Sequence, residues 1–342
     1  MNRIRFLQIS DLHISTTRNI AGINQLPDYV RRRGVVGVEL GVFSTYNPRK
    51  LLSAVELAHE IHYNSSTPLS AIIATGDIAT IGSDADLRKA LELFEGEPEE
   101  SSDFHPYETI EGDPTLKKLK NDGVKYMIMP GNHDRYNPAI FYLPRSSHFE
   151  NVFGEYWNGP VNAYDPIEGD EFDVGIIGAD FSLNSIWDST NSFPFHIIDV
   201  FGRGRVYPEI LQELKEKTEI LRDKIESKGK RSKILWAVHF APAFAGIPSA
   251  SILIDDAELL EAARECRVED ILCGHTHTPR IYEPVSGVTV YCCGSTTQAH
   301  ISGGGTNGCQ LIDVVMNDAG EIKVELRNFL YDDFTEVFTR ER

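Results

Sequence analysis

Ile4-Arg5-Phe6-Leu7-Gln8-Ile9-Ser10-Asp11-Leu12-His13 begins as a short apolar run and stops abruptly on an acid and an imidazole. Ile4 to Ile9 has the length and side-chain content of a buried strand. The same form returns along the chain. Ala71 to Thr75 is followed by Gly76-Asp77, and Lys125 to Met129 by Gly131-Asn132-His133-Asp134. Ile234 to His239 ends on a histidine, and Asp270 to Cys273 runs into Gly274-His275-Thr276-His277. Val174 to Gly178 and Val288 to Cys292 read as two more strands.

Between these runs the period changes from two to 3.6. Asn47 and Pro48 are start signals for a helix whose Leu51, Val55, Ala58 and Ile61 share a face. Pro208 to Ser227 carries Ile210, Leu214, Leu221 and Ile225 on one side, with Gly229 beyond its end. A third helix opens at Asp255, with Glu258 placed for a capping box. Strands alternating with helices predict an α/β fold. At 342 residues and 41% hydrophobic content, the chain can bury one large core or two modest ones.

Three stretches fit no core element and read as insertions: 15–46, 96–123 and 137–169. We expect a single catalytic domain over 1–300 that contains them. Residues 301–342 are expected as a C-terminal β-hairpin extension of that domain. Its strands would be Cys309 to Met316 and Glu321 to Leu330, turning at Asn317 to Gly320.

No run approaches the roughly 18 apolar residues of a membrane span, and no signal peptide is visible at Met1 to Arg5. Five cysteines, two of them adjacent at Cys292 and Cys293, make a poor disulfide framework, so a cytoplasmic setting is expected. A net charge of -18 repels nucleic acid and anionic lipid, so local cations must bring any phosphate in.

Each polar motif is weak alone, but all five sit where a strand ends, and ligands of open α/β sheets gather at carboxyl strand ends. Together Asp11, His13, Asp77, Asn132, His239, His275 and His277 offer carboxylate and amide oxygen and imidazole nitrogen, with no thiolate. Seven such side chains exceed one tetrahedral cation and suit two divalent metal ions roughly 3.5 to 4 Å apart, with Asp77 as the natural bridge. The glycine before Asp77, Asn132 and His275 would let the chain turn sharply there.

In order and wording these motifs resemble the calcineurin-like metallophosphoesterase family, whose pattern is D-x-H, G-D, G-N-H-D or E, H, and G-H-x-H. The likeness runs from Asp11 to His277. It implies a four-layer α-β-β-α sandwich, with metals at one edge of two central sheets. It implies one ion on Asp11, His13, Asp77 and His277, and the other on Asp77, Asn132, His239 and His275. His133 would be the proton donor to the leaving oxygen, with Asp134 orienting it.

The reaction implied is hydrolysis of a phosphate ester by hydroxide generated between manganese, iron, zinc or cobalt ions. Two divalent cations bring +4, Asp11 and Asp77 remove two and a hydroxide one, so such a pocket stays positive within an acidic chain. Ser10-Asp11-Leu12-His13 together with Gly131-Asn132-His133-Asp134 resembles the cyclic-nucleotide phosphodiesterase (class III) branch, which makes a small phosphodiester the first choice of substrate. A phosphomonoesterase or nucleotide hydrolase is the alternative. Net charge argues against a nuclease, and the intact motif set against a non-catalytic scaffold. One departure is His239-Phe240-Ala241-Pro242, where many relatives carry a second histidine after the ligand.

Other features have two readings each. Arg31 to Arg33 is a phosphate clamp or a solvated charge run. Tyr136, Phe141, Tyr142, Tyr156 and Trp157 stack on a flat group or pack the insertion. Gly294 to Thr297 bonds a phosphate oxygen or forms a plain turn. Gly303 to Gly305 lacks the lysine of a P-loop. Of the histidines outside the motifs, His196 and His300 are candidates for the rim.

Overall fold

A computed structural model describes residues 3–16, 46–95, 119, 123–136, 146–184, 188, 202–245, 252–298 and 306–341. The region of Arg31 to Arg33, the residues Phe141 and Tyr142, most of 15–46 and 96–123, Gly303 to Gly305, and both His196 and His300 lie outside them.

Short apolar runs, buried along most of their length, become two stacked sheets. In the first, β1 (Arg3–Ile9), β2 (Ala71–Thr75) and β3 (Lys125–Met129) are parallel neighbours. On the other side of β1 lie three antiparallel strands, β13 (Gly308–Met316), β14 (Ile322–Asp332) and β15 (Val337–Arg340). In the second sheet β6 (Phe172–Ala179), β8 (Arg231–Val238), β10 (Asp270–Cys273) and β12 (Val288–Cys292) run parallel. Antiparallel edges close it, with β4 (Val161–Ala163) and β5 (Ile167–Glu168) on β6 and β11 (Arg280–Val285) on β12. A separate parallel pair joins β7 (Gly204–Arg205) to β9 (Leu253–Ile254).

The four layers follow from period-two alternation in the second sheet. Ile176, Leu235, Ala237 and Leu272 share a core with β1 to β3, whereas their chain neighbours Ile177, Trp236, Val238 and Ile271 belong to another core, built with two helices. Those helices are α5 (Pro208–Glu226) and α6 (Asp256–Glu265). On the far side of the first sheet lies α1 (Pro48–Asn64), whose cap Asn47 accepts from the Arg49 N–H at 2.9 Å. Helix, sheet, sheet, helix is the sandwich expected. Two glutamines stitch its middle: from neighbouring strands, Gln8 and Gln310 each donate across to the second sheet, to the Cys273 and Cys292 carbonyls at 3.0 Å.

Several local readings change. Asp255 caps α6 from a left-handed conformation, without a side-chain bond to the helix, so the capping box with Glu258 does not form. The C-terminal strands β13 and β14 form a hairpin that continues the first sheet through the pairing of β13 with β1. Helix α2 (Asp84–Glu95) was not read from the sequence, although Leu87, Ala90 and Phe94 are buried at helical spacing. Of the stretch 137–169, residues 146–169 hold α4 (His148–Phe153), β4 and β5. Phe149, Phe153 and Trp157 are fully buried in the first core, and Tyr156 packs against it, so these rings pack the fold rather than a ligand. All five cysteines are buried and free, and no helix among the described residues is long and apolar enough to cross a membrane.

Candidate metal centre

Five loops leave the carboxyl ends of β1, β2, β3, β8 and β10 side by side. They lock together through backbone: Asp11 N–H donates to the Gly76 carbonyl and His13 N–H to the Asp77 carbonyl, each at 3.0 Å. The price in strain is visible. Asp11, His13, Asp77, His275 and His277 all have φ between 51° and 68°, the left-handed region that non-glycine residues seldom occupy. Among the described residues nine non-glycines do this, so the motif residues account for most of them.

Two glycine effects separate here. Gly76 has φ of 96°, so its freedom to turn is used. Gly131 has φ of -108° and Gly274 is not left-handed, so neither uses the conformational freedom expected of it. They are needed for close approach: a Cβ at Gly131 would overlap the Asp77 backbone and carboxylate, and one at Gly274 the Ser10 hydroxyl and Asp11 carboxylate.

The side chains converge in two groups. Asp11, His13 and His277 bring donor atoms within 4.8 Å of one another, and so do Asp77, His239 and His275. His277 Nε2 lies 3.1 Å from Asp11 Oδ1, and the His275 N–H donates to Asp11 Oδ2 at 3.1 Å. In the second group His239 Nε2 is 3.2 Å from Asp77 Oδ2, 3.0 Å from Asn132 Oδ1 and 3.3 Å from His275 Nδ1. Asn132 lies beside the second group through Oδ1. Asp77 falls in the second group.

The donor atoms fit divalent cations on independent grounds. His13 is fully buried, and neither ring nitrogen has a hydrogen-bond partner; His275 Nε2 is also unpartnered. Orphaned buried donors and acceptors of this kind are uncommon in folded proteins. Burial, then neighbouring imidazoles, holds His13 and His275 down to about 3, so both present the neutral nitrogen a cation requires. His239 goes the other way. Burial opposes its charge, but Asp77 outweighs it and carries the ring up to about 10, so a proton there supplies positive charge between Asp77 and Asn132. A divalent ion at that point would displace it. The Thr75 carbonyl, 2.8 Å from His239 Nδ1, holds the ring so that Nε2 faces the site.

His133 stands beside both groups, its ring 4.7 Å from His13 and its Nε2 4.0 Å from Asp77 Oδ2. Its Nδ1 lies 2.8 Å from the Thr80 carbonyl. Asp134 was expected to orient this ring, and its bonds go elsewhere. Its carboxylate accepts from the backbone N–H groups of Ile78, Ala79 and Gly131 at 2.8 to 3.1 Å, bracing the Asp77 loop against the Asn132 loop.

Sequence reasoning missed the outer supports. Ser295 and Thr297 are fully buried, and their hydroxyls donate to the Asp11 and Leu12 carbonyls. They therefore hold the first motif from behind. Arg135, almost fully buried, is bidentate to Glu150 and pairs with Asp180 at 2.7 Å, tying α3 (Asn132–Arg135) to α4. A buried charge is a weak sequence signal, because its partners lie 15 and 45 residues away. At the departure from the second histidine, Phe240 is buried with its ring centroid 4.8 Å from that of His275, so this position is an apolar wall.

Stacked sheets with two facing clusters of buried oxygen and nitrogen donors at one set of strand ends define a dinuclear metallohydrolase. The family model for the calcineurin-like phosphoesterase matches residues 4–279, and the chain belongs to that family. It is a metal-dependent phosphoester hydrolase that uses two divalent metal ions.

Among solved structures it is similar to a dimetal phosphatase from Danio rerio, with TM-score 0.51 and 13% identity, covering 96% of this chain and 99% of that one. It is also similar to GAP50 of the Plasmodium inner membrane complex, with TM-score 0.48 and 12% identity, covering 100% and 89%. A putative 5'-nucleotidase from Staphylococcus aureus gives TM-score 0.45 and 15% identity, covering 94% of this chain and 53% of that one. No curated protein matches the sequence.

Proposed function

We propose that the centre hydrolyses a small phosphodiester, with a cyclic nucleotide as first choice, and that the seven motif side chains hold the two ions. Asp11, His13 and His277 would hold one, and Asn132, His239 and His275 the other, with Asp77 between them. The observation that carries this reading is the pair of adjacent donor clusters, one of them containing a buried imidazole with both nitrogens unpartnered. When bound, two such ions supply hydroxide near neutral pH and neutralise phosphoryl charge.

The protein's own residues do the rest. The left-handed loops aim carboxylates and imidazoles inward before any ligand arrives, so little reorganisation is needed on binding. His133, whose Nδ1–H is held by the Thr80 carbonyl, turns Nε2 toward the site; as the imidazolium it would give the Nε2 proton to the departing oxygen and return to the neutral ring. The buried Phe240 ring behind His275 keeps water from that side.

The diester preference is supported by the wording of the first and third motifs. Hydrolysis of an aryl phosphodiester and the matching monoester by chelator-stripped protein, before and after manganese, tests it. Manganese-dependent turnover favouring the diester is expected. Faster monoester turnover would assign a phosphatase instead.

A further inference from the structure

Asn132 presents a particular problem of orientation. Its amide has an oxygen end and a nitrogen end of equal size, and only the oxygen can face a cation. A carboxylate has no such ambiguity. Something in the fold must keep the NH2 group turned away.

Tyr136 is placed to do so. It sits four residues on, as the C-cap of α3, where side chains at i and i+4 meet. Asn132 Nδ2 donates to the Tyr136 hydroxyl at 2.6 Å while Oδ1 points at His239 Nε2. The phenol is fully buried, and its ring lies 4.9 Å from that of His133, so it is fixed by packing on the same short helix. The Tyr136 backbone N–H bonds back to the His133 carbonyl at 3.2 Å, which sets where the side chain leaves the helix.

We propose that Tyr136 is a positioning residue: its hydroxyl selects the amide rotamer of Asn132 that makes the second cation site. This rests on the reading that Asn132 is a ligand. It assigns work to a residue outside the metal-binding motifs, through an oxygen bonded to the Asn132 amide nitrogen.

The test is stepwise manganese binding to chelator-stripped protein, followed by calorimetry and by the electron paramagnetic resonance of free manganese. Tyr136→Phe keeps the ring and removes the hydroxyl. It should weaken one of the two binding steps by about 10-fold or more, leave the other unchanged, and regain turnover at saturating manganese, in line with outer-shell partners elsewhere.

Asn132→Asp supplies two equivalent oxygens and no longer needs orienting. In that background Tyr136→Phe should add less than about 2-fold, whereas a role in packing alone would carry over at full size. Wild-type affinity for both ions in Tyr136→Phe, or equal losses in both backgrounds, overturns the inference while leaving the metal centre intact. Failure of the wild type itself to bind two ions would overturn the ligand assignment as well.

Discussion

The loops at the metal centre and the C-terminal strands β13 to β15 belong to one protein but are built by opposite rules. Around the centre, five non-glycine residues sit in left-handed backbone, Asp11, His13, Asp77 and His239 are buried, and glycines stand where a methyl group would collide. In β13 and β14 the register advances without a break from Gly308↔Leu330 to Met316↔Ile322, and the turns beyond expose Phe334 to solvent. A strained, polar, crowded rim is stable only because the rest of the fold over-determines it. The regular hairpin needs no such support, and its surface pairs contribute little.

The contrast predicts a ranking of mutational effects. The largest belongs to Arg135→Ala beside the rim, which leaves Asp180 buried without its cation. A loss of about 3 to 5 kcal/mol is expected in urea unfolding, together with manganese binding. A change under about 1 kcal/mol would show that the rim does not depend on this anchor.

Gly131→Ala comes next, because the new methyl group meets the Asp77 backbone nitrogen as well as its carboxylate, and the backbone cannot swing aside. About 1 to 3 kcal/mol of destabilisation is expected, with displacement of the Asp77 carboxylate and loss of turnover. Retained turnover would mean that the loops yield more easily than their packing implies.

Asp313 on β13 gives a pH-dependent effect. Burial raises its carboxyl, but hydrogen bonding and charge from Arg5, helped by Arg327 and Arg3, outweigh it and hold the group below its ordinary value. A carboxyl depressed in the folded state adds stability that is present above the unfolded value near 3.9 and is lost as pH falls through the folded value. Asp313→Asn should therefore flatten the acid limb of a stability curve below about pH 4 and leave neutral-pH activity alone. An unchanged acid limb would remove Asp313 from the account.

The smallest effect is expected at Arg49 and Glu336, an ion pair exposed on both sides that links α1 to the turn before β15. Arg49→Ala should shift stability by less than about 1 kcal/mol. A larger shift would make the hairpin surface resemble the rim after all.

What the chain's own order of residues determined is considerable. β2, β3, β10 and β12 begin and end where the apolar runs do, because a strand buried on both faces must be apolar throughout and must stop where polar residues begin. The same stops carry Asp11, Asp77, Asn132, His239 and His275 to one edge, since parallel strands of a sheet end on the same side. Helix α1 followed from Asn47, Pro48 and a single apolar face.

Tertiary structure decided the rest, and the reason is distance along the chain. Whether Asp134 orients His133 or braces a loop depends on Ile78 and Ala79, more than fifty residues earlier. Ser295 and Thr297 read as an ordinary turn until Asp11 and Leu12 arrive from 284 and 285 residues away. Polar groups choose partners only once the fold has removed water from around them, and that choice is made by packing rather than by neighbours in sequence.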